Sequence, residues 1–440
     1  MKAKIVPLYF KEGKTGKFDS QLKLLKKLLN DDADILQPLA LGAPLSKCDA
    51  VVFPEILGEA YRSVEAFRAI SVPILIITSE FATVSMWDWE IANYLASKGI
   101  ATIAPYNIDQ AKLYCRMAAT KRKMAGSKFL IFQDNPGEGF QPDIFKSFFW
   151  WEDECTANIQ KKFGVTVERR SLEALGKKAF AYTDADAKSI WKKWDYPISA
   201  GFSEQMAIQA VKLYMALDDE IDSDSIIGMG TNCLNESGFC NSTPCLAWDR
   251  LLEERGMLWA CEGDTVSLAT KYMISQSLQK PLMMTNIYPF LMGMAALKHE
   301  KIPSFPENFS NPEDHILLAH CGYFGLLPRS YSTEWMLREP VLEIVDADAH
   351  MFDARMQIGP VTVAKLDASM EKLMSVKAHL KEYVQYDSTS DCRNGGVIEV
   401  SDGKTFMERT YSHHIILVEG DVSHELNALG KIMGLQIDSF

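Results

Sequence analysis

Apolar positions fall into two rhythms along this chain. Through the first 125 residues, short apolar runs alternate with stretches that repeat every three to four positions. KIVPLYF, AVVFPEI, VPILIIT and IATIAP predict strands. SQLKLLKKLL, VEAFRAI, EIANYLASKG and NIDQAKLYCRMAATKRKM predict helices between them. VPILIIT is almost wholly apolar, as a strand covered on both faces is. The order predicts a doubly wound, Rossmann-like α/β unit over residues 1–125.

The same rhythm restarts after Gly126. SKFLIFQ, GVTVERRS, DSIIGMGT and MLWACEGD predict strands. Helices are predicted over 143–163, within GFSEQMAIQAVKLYMALDDEI, and over CLAWDRLLEERG and TVSLATKYMISQSL. This predicts a second α/β unit over 126–285. Beyond it the rhythm changes. DHILLAHC, VLEIVDAD, GPVTVAKL, GGVIEV and HHIILVEG are short β-like runs between irregular stretches with Pro and Asn. SHELNALGKIMG closes the chain as an amphipathic helix. The expectation for 286–440 is a β-rich, barrel-like domain.

Composition narrows the function. A chain of 440 residues is too long for one ordinary core, which agrees with three units. A net charge of -12 argues against nucleic acid and against an anionic membrane surface as partners. The basic run Lys121-Arg122-Lys123 reads as a solvated helix end. No apolar run reaches the roughly 18–20 residues that span a bilayer. The chain enters a strand directly from Met1, so no signal peptide is expected. Nine cysteines, an odd number, do not suggest a disulfide framework and are expected to be reduced thiols of a cytoplasmic protein. Cys233, Cys240, Cys245 and Cys261 lack the tight gaps of a zinc knuckle and read as small buried residues.

Candidate chemistry clusters late in the sequence. All eight histidines lie between His299 and His424. His413 and His414 stand side by side before an apolar run. Strand alternation sends one ring to a core and the other elsewhere. In open α/β sheets, ligands collect at the carboxyl ends of strands. IIGMGTNCLNES delivers Glu236 there, and LWACEGD delivers Glu262 and Asp264. Asp264 also stands where a cap of the next helix would. Glu262 is a candidate substrate contact or a turn residue. Two carboxylates with an imidazole suit Mn²⁺ or another divalent metal better than structural zinc.

WACEGDTVSLATKYMI, AHCGYF, GPVTVAKL and SHHIILVEGDVSHELNALGKIMGL, in that order, resemble the L-fucose isomerase and L-arabinose isomerase group. The resemblance covers roughly residues 225–440, and the chain is shorter than those enzymes. It implies an aldose–ketose isomerase working through a cis-enediol. It implies Mn²⁺ held by Glu236, Asp264 and His414, with His414 rather than His413 as the ligand and the two acids also moving protons. It further implies that His320 lines the pocket. In the loop SEFATVSMWDWE, Trp87, with Trp89 as rival, would contact sugar in a neighbouring copy of a trimer or hexamer. Two alternatives stay open: another enediolate enzyme such as an epimerase on the same scaffold, and a non-catalytic sugar-binding protein.

Overall fold

The computed structural model describes residues 1–10, 14–134, 147–298, 300–306, 309–342 and 345–440. Part of the helix expected over 143–163 therefore lies outside the described residues. Contacts divide the chain into two compact units. The first comprises Met1–Ala125, Gln276–Gln279 and His424–Gln436, and the second the remainder. The second α/β region and the β-rich region, expected as separate domains, fall together in the second unit. The C-terminal helix Ser423–Met433, expected with the β-rich domain, falls almost wholly in the first.

The first unit is built on parallel strands. These are β1 (Ala3–Tyr9), β2 (Ala33–Ile35), β3 (Leu39–Ala40), β4 (Ala50–Phe53), β5 (Ile74–Ile76) and β6 (Thr102–Ile103). Their order is β2-β1-β4-β5-β6, with β3 also on β1. Val51, Val52, Phe53 and Ile74–Ile76 are buried, which is why these runs carry almost no polar side chain. Thr15 and Asn107 cap the helices Gly16–Leu28 and Ile108–Met124 with side-chain oxygens.

The second unit contains two sheets that matter for the site. One is parallel: β7 (Lys128–Phe132), β8 (Thr166–Arg170), β9 (Ile226–Thr231) and β10 (Leu258–Cys261), in the order β10-β9-β7-β8. The other is antiparallel and closed. It contains β11 (Leu282–Pro289), β12 (His315–Ala319), β15 (Gly359–Leu366), β16 (Lys372–Gln385), β17 (Asn394–Val400) and β18 (His414–Glu419). The order β15-β18-β11-β12-β17-β16 returns to β15, so six strands form a barrel without an open edge among them. A register shift between Leu380 and Glu382 lets the long β16 bend around it. Between β12 and β15, β13 (Glu334–Arg338) and β14 (Met351–Arg355) form a separate hairpin-like pair. VLEIVDAD, read as a β-like run, forms no strand among its described residues. Among the described residues, no helix is long and apolar enough to cross a membrane.

Candidate functional site

The site is set by the turn that leaves β10. Cys261 ends the strand and the helix Thr265–Leu278 begins four residues later. Glu262 and Gly263 make the turn with φ of +55° and +59°. Glycine adopts this region freely, whereas glutamate does so at a cost of order 1–3 kcal/mol that the surroundings must offset. Here they do so. The indoles of Trp150 and Trp151 both donate to the Glu262 carbonyl, at 3.2 and 2.7 Å. The Gly263 amide donates to the Thr231 carbonyl of β9 at 2.9 Å.

Asp264 follows. Its Oδ1 accepts from the Ser267 amide at 2.8 Å, so it does cap the helix. Its Oδ2 accepts from the Ser267 hydroxyl (2.7 Å), Lys365 Nζ (2.9 Å) and His414 Nδ1 (2.9 Å). Asp264, Lys365 and His414 are fully buried. Burial opposes the charge on Asp264, but Lys365 and His414 hold its carboxyl well below the usual range. Lys365 is itself lowered by burial, against the pull of Asp264. The cap and the orienting carboxylate are thus one residue. It fixes the proton of His414 on Nδ1 and leaves Nε2 for another partner.

That partner is Glu262. Its Oε2 lies 3.6 Å from His414 Nε2. Neither atom has a hydrogen bond, and both are buried. Burial disfavours a charged His414, yet Glu262 and Asp264 outweigh it and raise the imidazole pKa. Burial likewise pushes Glu262 up, and His414 more than offsets it, bringing the carboxyl to about 2. His413 stands in the opposite state. Burial and then the neighbouring His414 lower it to about 3, so it is a neutral ring.

Among the described residues, Glu262, His413 and His414 offer ligand atoms that all lie within 4.8 Å of one another. This group brings in Glu262, expected only as a substrate contact. It also brings in His413, expected to pack while its neighbour faced an ion. β18 begins at His414, so His413 lies just before the strand, its carbonyl accepting from the Ile287 amide of β11. Glu236 is outside the group. It ends the short helix Cys233–Glu236 after β9, and both its carboxylate oxygens accept from the Asp134 amide at 3.2 Å. Asp264, expected as a ligand, has its oxygens occupied by four donors and serves as the support of His414. His320 is buried just after β12, its ring centroid 5.7 Å from that of His414, with neither ring nitrogen bonded. Burial lowers it to about 4. Trp87 and Trp89 belong to the first unit, 64% and 44% exposed. Trp87 precedes its helix in a left-handed conformation.

Several contributors escaped the sequence reading. Lys365 passed as an ordinary member of GPVTVAKL, although a period of two puts it on one face with Val361 and Val363, both buried. Trp150 stacks on His414 at 4.9 Å between centroids, and Phe148 stacks on Trp150 at 4.3 Å. The FFWW run was the available signal. Asn286, in register with His414 on β11, leaves its Oδ1 unbonded. Phe148, Trp150, Asn286, Tyr288, Met292 and His413 are among the lining of a cavity of about 610 Å³. That is ample for a small ligand.

The donor set suits a divalent cation. Two buried atoms, Glu262 Oε2 and the imidazole nitrogen His414 Nε2, face each other without a hydrogen bond, both are ligand atoms once the imidazole is neutral, and a carboxylate orients the ring from behind. All nine cysteines are unpaired. No protein-family model matches the chain, and no curated protein matches it either.

Proposed function

We propose that this protein is a metal-dependent aldose–ketose isomerase acting on a sugar, using Mn²⁺ or another divalent cation. The observation that carries the reading is the buried, unbonded pair Glu262 Oε2 and His414 Nε2, 3.6 Å apart. Glu262, His413 and His414 would hold the cation. When bound, it would supply Lewis-acid stabilisation of the charge that develops on adjacent sugar oxygens. Lys365 and Ser267 clamp Asp264, and Asp264 presents His414 by one tautomer. A Glu262 carboxylate oxygen takes the proton from the carbon beside the carbonyl and returns it to the neighbouring carbon on the same face, while the hydroxyl proton passes between the two adjacent sugar oxygens, as a cis-enediol path requires. Glu236, paired with Asp264 in the expectation from the sequence, is held by the Asp134 amide and moves no proton in this path. Asn286 and His320 offer unbonded polar atoms to sugar hydroxyls, and the rings of Phe148 and Trp150 offer apolar faces to its C–H bonds.

The parallel strand orders favour a doubly wound, Rossmann-like reading of both α/β sheets. Unpaired cysteines favour a reducing, cytoplasmic setting. A homo-oligomer, trimer or hexamer, with the exposed Trp87 reaching sugar in a neighbouring copy, belongs to the same proposal. The test is a panel of free aldoses and ketoses in D₂O, followed by NMR. One sugar should exchange deuterium at C1 or C2 with added Mn²⁺ and cease to do so in EDTA. Sugar binding without exchange would instead favour a binding protein, and inversion at one carbon an epimerase.

A further inference from the structure

We infer that the sugar taken by this site carries an apolar substituent, longer than a methyl, on the carbon remote from its carbonyl, and carries no phosphate. The sugar half of that ligand rests on the isomerase reading. The apolar half rests on the cavity of about 610 Å³ that His413 lines.

The cavity has a polar end and an apolar end. Asn286, Ser412 and His413 line it where β11 meets β18. Asn286 is in register with His414 there, and the Ile287 amide donates to the His413 carbonyl at 3.1 Å. β11 then continues to Pro289, about 10 Å farther along at the usual rise of a strand. The short helices Phe290–Met292 and Met294–Leu297 follow. Pro289, Met292 and Ala296 line the cavity at this far end, and Phe148, Phe149 and Trp150 add three aromatic rings to its wall.

Charge excludes one class of ligand. Among the described lining residues there is no lysine, arginine, aspartate or glutamate. Lys365 lies 5.8 Å from the Trp150 ring, but it is fully buried and spent on Asp264 and Ser267. A sugar phosphate would therefore lose water from its charge without gaining the charge-assisted bonds that recover the loss. Burial selects the opposite class. Met292 is 50% exposed and Phe149 is half-buried, so the apolar end meets water. Covering such a surface is favourable, and an exposed apolar patch is a mark of a ligand groove. The volume lies in the range of clefts that hold drug-sized ligands, about 300–1,000 Å³. A free pentose with its carbonyl end at His413 would leave the far end wet, whereas an alkyl or aryl extension would cover it.

The test uses the 5-O-methyl, 5-O-propyl and 5-O-pentyl ethers of the aldopentoses, of both hands, with the full chain. Saturation-transfer NMR reads binding, and deuterium incorporation at C1 or C2 with Mn²⁺ reads turnover. Affinity should rise with chain length, by about fourfold for each methylene taken out of water. The 5-phosphates should bind no better than the free pentoses. Met292→Asp, which sets a carboxylate at the apolar end, should remove the gain with chain length, and Phe149→Ala should reduce it severalfold. Circular dichroism melts establish that each variant is folded, and either variant carries the test if the other does not fold. No binding of any ether, affinity flat or falling from methyl to pentyl, a gain that survives both variants, or tighter binding of a phosphate would overturn the inference. A gain with chain length but no deuterium exchange in any pentose would sink the isomerase reading alone and leave the ligand class standing.

Discussion

Glu236 and Glu262 leave the carboxyl ends of two neighbouring parallel strands, β9 and β10, and they reach different conditions. Glu236 sits in a short helical turn with its carboxylate spent on a backbone amide. Glu262 stands at positive φ, its carbonyl pinned by two indoles and one carboxylate oxygen unbonded in front of an imidazole. Position at a strand end made both candidates. Strain together with an unbonded buried atom separates them, because a fold maintains neither without a compensating interaction.

The largest effect that would sharpen this contrast comes from His414→Ala. We expect Mn²⁺ affinity, read by titration calorimetry, to fall by more than about 100-fold, beyond the roughly 10–100-fold of an outer partner. Turnover should vanish with it. Undiminished metal binding would remove the proposed centre.

Next comes the direct comparison of the two acids. Glu262→Gln should lower turnover by about 10²–10⁴-fold, the usual range for a lost acid–base group. It should weaken metal binding as well. Glu236→Gln should leave Mn²⁺ affinity and turnover close to the parent's, since Glu236 lies outside the convergent group and is held by the Asp134 amide. If Glu236→Gln lost the metal and Glu262→Gln kept it, the roles assigned to the two acids would be reversed.

Lys365→Met tests the support behind His414. It leaves Asp264 as a buried charge short of one partner, an arrangement that typically costs about 3–5 kcal/mol. Metal affinity should drop by about 10–100-fold, as for loss of an orienting partner. Thermal melts and calorimetry would read the two effects separately. A variant that melts and binds like the parent would show that Asp264 holds its place without the ammonium.

The smallest effect is the dependence on pH. The pKa of His414 is raised above its ordinary 6.5, so its ion pairs stabilise the metal-free fold fully below that value. This contribution disappears as pH rises through the raised pKa. Glu262, at about 2, contributes above its ordinary 4.5 and loses that contribution only as pH falls toward 2. The gap in melting temperature between the metal-free parent and His414→Gln should therefore narrow as pH climbs above 6.5. Mn²⁺ affinity should rise over the same range, because a proton on His414 competes with the metal. A gap that stays constant with pH would contradict a charged His414.

Much of the scaffold was legible. Parallel strands announced themselves because they are buried on both faces and carry little but apolar residues. The barrel was less legible. β16 went unread because Lys377, Lys381 and Glu382 interrupt its apolar positions, and one half-solvated strand of a closed sheet resembles a polar loop. β11 went unread because LMMTNIYP falls where the two rhythms meet. The helix Asp184–Trp191 was missed because it buries little beyond Ala187, and Leu172–Ala181 was missed although Leu172, Leu175, Gly176 and Ala179 form a short helical stripe. At the site, His414, Asp264 and Glu262 were visible as residues at element ends. Their division of labour was not, because it depends on a backbone dihedral at Glu262 and on Lys365 arriving from a strand about a hundred positions later.

Trp150 lies nearly parallel to the imidazole of His414, at an interplanar angle of 26°. A charged imidazolium accepts an electron from an excited indole far more readily than a neutral ring does. The glow of this one tryptophan is therefore an internal gauge of its neighbour: dim while the proton stays, bright once it departs.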